Sequence, residues 1–384
     1  MKVIIVGGGI GGLSAAIALD RVGIEAAVFE QADHLREVGA GLTLWANACK
    51  ALGKLGAAGR LLECGSAVSR FEVRNWRGAV VGVSPFARLE RKLGAAVYVC
   101  VHRGEFLEQL AALTDSSRVY CGARCVGIDA DDAGVTVRFA DGRQERGDIL
   151  VGADGLHSVV RAHLHGVSNL RYAGYACWRG FARFEHVGLS PDMAFESWGP
   201  GKRFSAHPCG KGRVFWFGTT NSPQGTPDAP GRRKADALEC FQDWFSPIPE
   251  LIEATQDDIL LNDIVDRKPL KSWGIGRVTL LGDAAHPTTP NLGQGACQAI
   301  EDAVTLAHCL GQGDSALGAL RSYEASRIPR TTAITNQSLR MGILGQLGSP
   351  LACSIRDAVI RMTPTAVNLS FMESVLCHDV PEIP

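Results

Sequence analysis

Six consecutive residues near the N-terminus, Gly7-Gly8-Gly9-Ile10-Gly11-Gly12, constrain this chain more than any other segment. Glycines packed this densely cost chain entropy and bury no side chain, so they persist where backbone must approach something closely. The context is specific. Val3-Ile4-Ile5-Val6 before them reads as a buried parallel strand, and Leu13 to Val22 behind them has helical spacing. Ala26-Ala27-Val28-Phe29 then reads as a second buried strand, completing a strand–helix–strand unit. In that setting Gly7 permits a tight turn, Gly9 lets a pyrophosphate approach the backbone, and Gly12 lets helix pack on strand. Ile10 and Gly11 open the helix, where free N–H groups and the positive dipole end favour phosphate. Glu30, followed by Gln31, closes the second strand 18 residues beyond Gly12, where a carboxylate takes hydrogen bonds from ribose hydroxyls. The segment reads as a dinucleotide-binding unit.

At 384 residues the chain exceeds what one hydrophobic core usually supports, which predicts two domains. Two more apolar runs end in glycine: Asp148 to Val151 before Gly152, and Val278 to Leu281 before Gly282. With the first two they predict one parallel sheet gathered from distant pieces of sequence. Residues 71–99 and 171–220 instead alternate and carry aromatics, as antiparallel strands do. Asp131 to Gly142 reads as part of a small β-meander, and the proline-rich 221–232 as a surface loop. The expected fold is α/β with an α+β insert. A Rossmann-like domain (1–70, 100–170 and 270–335) holds the dinucleotide, an inserted, mostly antiparallel β-sheet domain (71–99 and 171–269) faces substrate, and C-terminal helices (336–384) follow.

Charge narrows the function. Lys plus Arg (39) balances Asp plus Glu (40), so the basic surplus of a nucleic-acid binder is missing. Twelve cysteines occur without a secretory leader ahead of the first strand, so they are read as reduced, buried small hydrophobes in a cytoplasmic protein. The close pair Cys121 and Cys125 is read the same way, and no metal site is expected. No apolar run reaches the roughly 18 residues of a spanning helix.

The fourth strand leads into Gly282-Asp283-Ala284-Ala285-His286-Pro287, then Pro290, Gly293, Gln294 and Gly295, with a helix from about Ala296. A carboxylate at a strand end suits a polyol chain. A glycine-bounded loop feeding a helix N-terminus suits the negative charge of a reduced flavin. Together with Asp154-Gly155, His157-Ser158 and Arg161, these motifs resemble the group A flavoprotein monooxygenases, the family of para-hydroxybenzoate hydroxylase, over roughly residues 1 to 330. The resemblance implies non-covalent FAD. Its ADP part would lie on Gly7 to Gly12 and Glu30, its ribityl chain on Asp283, and its ring near Gly41, Thr43, Gly293, Gly295 and Ala296. Arg103 matches an arginine aimed at FAD, Val126 a backbone contact to adenine, and Asp154 a residue supporting both nucleotides. For single residues plainer readings stand beside these: Asp154 as a helix cap, Arg161 as a solvated helix residue, His286 as structural.

The nearest texture is to the urate, zeaxanthin and N-heteroaromatic branches. By that resemblance Cys177, Arg203, Phe215, Phe217 and Pro290 fall on the substrate side of the flavin, and Arg203 is the candidate catalytic residue, positioning substrate or steadying the flavin hydroperoxide. A surface arginine beside Lys202 is the plainer reading. Alternation puts Cys177 and Arg179 on one face, and Phe215 and Phe217 on another. Cys177 and Phe215 replace polar groups of the urate branch, which favours a less polar ligand. The implied reaction is reduction of FAD by transiently bound NADH or NADPH, O2 addition at flavin C4a, and oxygen transfer to a small aromatic, heteroaromatic or otherwise apolar substrate by hydroxylation or epoxidation. The rivals are an FAD-linked reductase or dehydrogenase and a flavin-free carrier; a halogenase would need a Trp-x-Trp-x-Ile run that is missing.

The C-terminal stretch predicts two helices, each opened by a capping residue and proline, Ser349-Pro350 and Thr363-Pro364. Leu351, Ile355, Val359 and Met362 form an apolar stripe on the first. Two readings follow: the helices pack on the domain interface and wall the substrate cavity, or part of the stripe meets a membrane surface.

Overall fold

The computed structural model describes residues 1–35, 41–256, 258–313 and 315–384, apart from the side chains at 365, 366, 368, 369 and 371. The four apolar runs do form one parallel sheet. Its order is Val278–Leu280, Ile149–Gly152, Lys2–Val6, Glu25–Phe29 and a short fifth strand, Val119–Tyr120. Val3 to Val6 pair with Ala26 to Phe29 on one side and Ile149 to Gly152 on the other, so these apolar side chains are buried on both faces. The fifth strand has two residues, too few for any periodicity to announce it. Helices Ile10–Arg21 and Gly295–Gly311 pack against each other and bring their N-termini to the same end of this sheet.

The second sheet has seven strands, in the order Leu260–Asp266, Arg171–Arg183, Arg213–Asn221, Lys202–Pro208, Met193–Gly199, Arg70–Asn75 and Val80–Pro85. It is antiparallel except between Met193–Gly199 and Arg70–Asn75. Helices Arg233–Phe241 and Ile248–Glu253 cover one face through Trp178, Phe204, Trp216 and Phe241. The meander is present as Cys125–Asp131, Gly134–Phe139 and Gln144–Gly147. A further three-stranded sheet joins Gly41–Trp45, Tyr98–His102 and Gly65–Ala67. Residues 87–93, read as strand, form a helix instead, because Ala-Arg-Leu-Glu-Arg-Lys-Leu is a run of strong helix formers.

The C-terminal helices divide the two readings made for them. Ser349 caps Pro350–Met362 by accepting from the Ala352 N–H, as expected. The next helix starts at Thr365 with Pro364 as its cap; Thr363 instead ends the previous helix, its hydroxyl donating to the Val359 carbonyl. Ile360, Met372, Val375 and Leu376 wall a cavity described below, as packing requires. Yet Leu351 and Met362 are 71% and 74% exposed, and Ile355 and Val359 also face outward, while Cys353 and Arg356 are buried. The stripe is therefore an exposed apolar surface, and it is not the inner face of this helix.

The site is held from behind by a buried ionic cluster. Arg327 donates to Asp302 (2.6 Å) and Glu301 (2.5 Å), and Arg330 adds two bonds to Glu301 (2.7 Å each). Two guanidinium and two carboxylate charges balance in a region closed to water. Burial alone would raise the Glu301 carboxyl; Arg327 and Arg330 overcome it and hold the group down to about 2. Its folded value lies below the ordinary one, so its contribution to stability is present above about pH 4.5 and lost as pH falls toward 2. Removing one member of a buried pair leaves the others uncompensated, typically at a cost of about 3–5 kcal/mol. Arg327→Ala should lower unfolding free energy by about that amount in denaturant titrations. Removing the exposed pair Arg118–Asp20 should change it by less than about 1 kcal/mol.

Candidate active site

Two adjoining cavities occupy the junction of the two large sheets. The first, about 300 Å³, runs along the ends of the parallel strands. Gly7, Gly9, Ile10, Gly11, Glu30, Gln31, Arg103, Asp154, Asp283, Gly295 and Ala296 line it, which brings together most residues singled out for the dinucleotide. Gly12 does not line it. A methyl there would sit 1.9 Å from the Gly7 carbonyl oxygen, and one on Gly7 (φ +111°) 2.3 Å from that of Ala153. Gly12 lets the first helix close on the first strand, and Gly7 lets the end of that strand approach Ala153, which forms the cleft floor. Val126 is half exposed and lies outside the lining, although its neighbour Cys125 belongs to it. Of the segment Gly39 to Thr43, which the resemblance sets beside the flavin ring, Gly39 and Ala40 lie outside the described residues.

Hydrogen bonds explain how the lining is held. Glu30 accepts from the Gly8 N–H (2.7 Å) and the Ala32 N–H (2.9 Å), which fixes its carboxylate at the cleft wall. Asp154 accepts from the Val159 N–H (2.7 Å) and Val160 N–H (3.2 Å), so its capping role is real. Arg161 is buried, not solvated. It donates to the carbonyls of Ala284 and Ala285 (2.9 Å each) and so steadies the turn that carries Asp283. His286 donates from Nε2 to Asp302 (2.6 Å), which also accepts from the Gly282 N–H (3.0 Å); this supports the structural reading of His286. Burial raises the Asp283 carboxyl, against the pull of His286 and Arg103.

The second cavity, about 550 Å³, lies between the seven-stranded sheet and the C-terminal helices. Cys177, Arg203, Phe215, Phe217 and Pro290 all line it, as do Gly41, Thr43 and Gly293. The two faces expected for Cys177/Arg179 and Phe215/Phe217 are one face. Arg179 pairs with Phe217 and Cys177 with Thr219, so all of them point the same way. Gly41 lies flat on the Phe215 ring, with a Cβ there only 2.0 Å from it. Arg203 is not a surface residue: it is 2% exposed and donates to Gln346 (2.8 Å), Glu196 (3.1 Å) and Asn291 (2.7 Å). Sequence reasoning missed Trp45, Tyr98, Glu196, His207 and Asn291 on this wall. Trp45 shares the strand face of Gly41 and Thr43, and Asn291 follows Pro290, signals the sequence did carry. Tyr98, Glu196 and His207 arrive only through the register of strands far apart in sequence.

The geometry suits FAD. Leu42, Asp283, Gly295 and Ala296 belong to both cavities, so a ligand in the cleft reaches the wider chamber. The helices starting at Ile10 and Gly295 carry no side-chain cap and no acidic residue in their first turns. Both therefore offer unpaired N–H groups and positive dipole ends to the cleft. The buried Trp45 indole N–H has no partner and adjoins Gly293, where a Cβ would come within 2.8 Å of it. A flavin ring brings acceptors to such a place. Among the described residues no cluster fit for a metal ion occurs.

Comparison with known proteins gives the same picture. The FAD binding domain family matches residues 1–171 and 263–338. The aurachin C monooxygenase/isomerase of Stigmatella aurantiaca is 41% identical over 363 residues, 94% of each chain. The FAD-dependent urate hydroxylase of Klebsiella pneumoniae is 36% identical over 336 residues, 86% of each. Among solved structures, HpxO of Klebsiella pneumoniae complexed with FAD and uric acid superposes with a TM-score of 0.92 at 32% identity, covering 98% of this chain and 97% of that one.

Gly12→Ala tests the cleft floor. The added methyl cannot be absorbed by a flexible neighbour, since it meets backbone. The variant should lose about 1–3 kcal/mol of stability by thermal or denaturant unfolding and bind FAD more weakly than wild type.

Proposed function

The chain belongs to the FAD-dependent monooxygenases that share this FAD binding domain, and from that membership we propose that it uses NAD(P)H and O2 to place one oxygen atom on a small, largely apolar aromatic or heteroaromatic compound. The membership sets aside the FAD-linked reductase and the flavin-free carrier. One observation carries the substrate side of the reading: the cleft opens, through Leu42, Asp283, Gly295 and Ala296, into a chamber walled by Phe71, Phe215, Phe217, Met372 and Leu376. Urate is a relative's substrate; here the chamber is dominated by apolar side chains, which favours a less polar ring.

Bound FAD would accept hydride from NAD(P)H and activate O2. The chain's own residues do the rest. Glu30 and Gly7 to Gly11 are proposed to hold the ribose and pyrophosphate of FAD, Arg103 and Asp283 its middle, and Gly293 to Ala296 with Thr43 its ring edge. Arg203, fixed on three sides and still carrying unspent N–H donors, is proposed to orient the substrate. The aromatic walls exclude water from the reacting centre, which suppresses loss of the activated oxygen as H2O2.

Purified protein should be yellow, with FAD near one per chain, and Asp283→Ala should retain far less flavin at unchanged secondary structure. Full occupancy in that variant would overturn the assignment of Asp283. Screening aromatic and heteroaromatic compounds should find one that speeds NAD(P)H oxidation while lowering the fraction of H2O2 formed. If no such compound does both, the substrate reading fails.

A further inference from the structure

Inside the large chamber, three buried polar side chains form a line that the reaction as described does not use. Tyr98 Oη lies 2.7 Å from His207 Nδ1, and His207 Nε2 lies 2.7 Å from Ser205 Oγ. Ser205 Oγ lies 2.7 Å from the Phe195 carbonyl oxygen. Tyr98 and His207 line the chamber, whereas Ser205 is sealed behind them. Phe71, Phe215 and Phe217 stack around the imidazole at 5.7–6.5 Å between centroids.

The direction of every bond in this line follows from donor count. A carbonyl only accepts, so Ser205 spends its one hydrogen on Phe195 and must accept from His207 Nε2–H. Burial among aromatic rings pushes the imidazole down to about 3, so it is neutral and its Nδ1 is bare. Nδ1 then accepts from Tyr98. Burial also pushes the Tyr98 phenol well up, so its proton is present and already committed inward. The line therefore ends in a phenol oxygen with no hydrogen to give, on a residue that lines the chamber and is otherwise buried. A second donor, the neighbouring Thr43 hydroxyl, points to this oxygen, and a substrate donor would share or replace it.

We propose that Tyr98 recognises a donor on the substrate, a phenolic O–H or ring N–H, and that His207 and Ser205 are positioning residues that fix its polarity. This inference rests on the proposed aromatic substrate class and names the group within that class which the chamber selects. An ether or a bare carbonyl in the same place would meet lone pair against lone pair.

The test uses the FAD-loaded enzyme and two probes of similar shape, 2-naphthol and 2-methoxynaphthalene, titrated by the change in flavin absorbance. Wild type should bind the naphthol about tenfold more tightly than the ether. Tyr98→Phe should abolish that preference while holding the ether's Kd within about twofold. His207→Phe frees the Tyr98 proton to point outward, so it should improve ether binding, an effect that mere loosening of the wall does not give. Equal binding of both probes by wild type, or an undiminished preference in Tyr98→Phe, overturns the inference and leaves the substrate class standing. Binding of neither probe, together with no response across the wider aromatic screen, overturns both.

Discussion

A guanidinium shut away from water ties the two walls of this site together. Arg327, 1% exposed, grips Glu301 and Asp302, neighbours on the helix Gly295–Gly311. Asp302 in turn holds the Gly282 N–H and His286, so the turn bearing Asp283 is anchored to that helix. Glu301 reaches the other way, accepting from Asn47 at 2.6 Å, and Asn47 also donates to Gln294. Asn47 lies two residues past the strand Gly41–Trp45, in the first turn of the helix Ala46–Lys54. One charge cluster therefore sets the spacing between the strand carrying Thr43 and the loop carrying Gly293 to Ala296. An apolar core of equal volume would serve stability as well; directional bonds fix a separation, which a cofactor slot requires.

The slot and the chamber divide the chemistry by polarity. The cleft is rich in backbone N–H groups, two open helix ends and charged side chains, suited to phosphate and ribose. The chamber is mostly aromatic and aliphatic, with its polar groups paired among themselves. Arg203 is fixed by Glu196, Gln346 and Asn291, and His207 by Tyr98 and Ser205. Such pairing lowers the cost of burying polar groups and leaves few directions in which a ligand can be recognised.

The cofactor half of the site was legible in the sequence because its signals are local. Glycines bounded by an apolar strand and a helix, and an acid at a strand end, each declare their role within a few residues. Eleven of the residues singled out for the dinucleotide line the cleft together. The substrate half was less legible. Cys177, Arg203, Phe215, Phe217 and Pro290 could be named by resemblance, but Tyr98 and His207 are 109 residues apart and meet only through sheet packing. The stripe on Pro350–Met362 misled for a different reason. Periodicity locates an apolar face without saying what covers it, and here Trp198 takes the buried Arg356 by cation–π contact at 5.0 Å while the stripe faces out. The fifth parallel strand escaped because two residues carry no period.

Oxygen transfer in the joined cleft and chamber is tested most directly by isotope labelling. With FAD-loaded enzyme, NAD(P)H and a compound that stimulates its oxidation, turnover under 18O2 should yield product carrying one labelled oxygen atom by mass spectrometry. Product formed under 18O2 without label, or labelled instead from 18O-water, would contradict a monooxygenase working in this chamber.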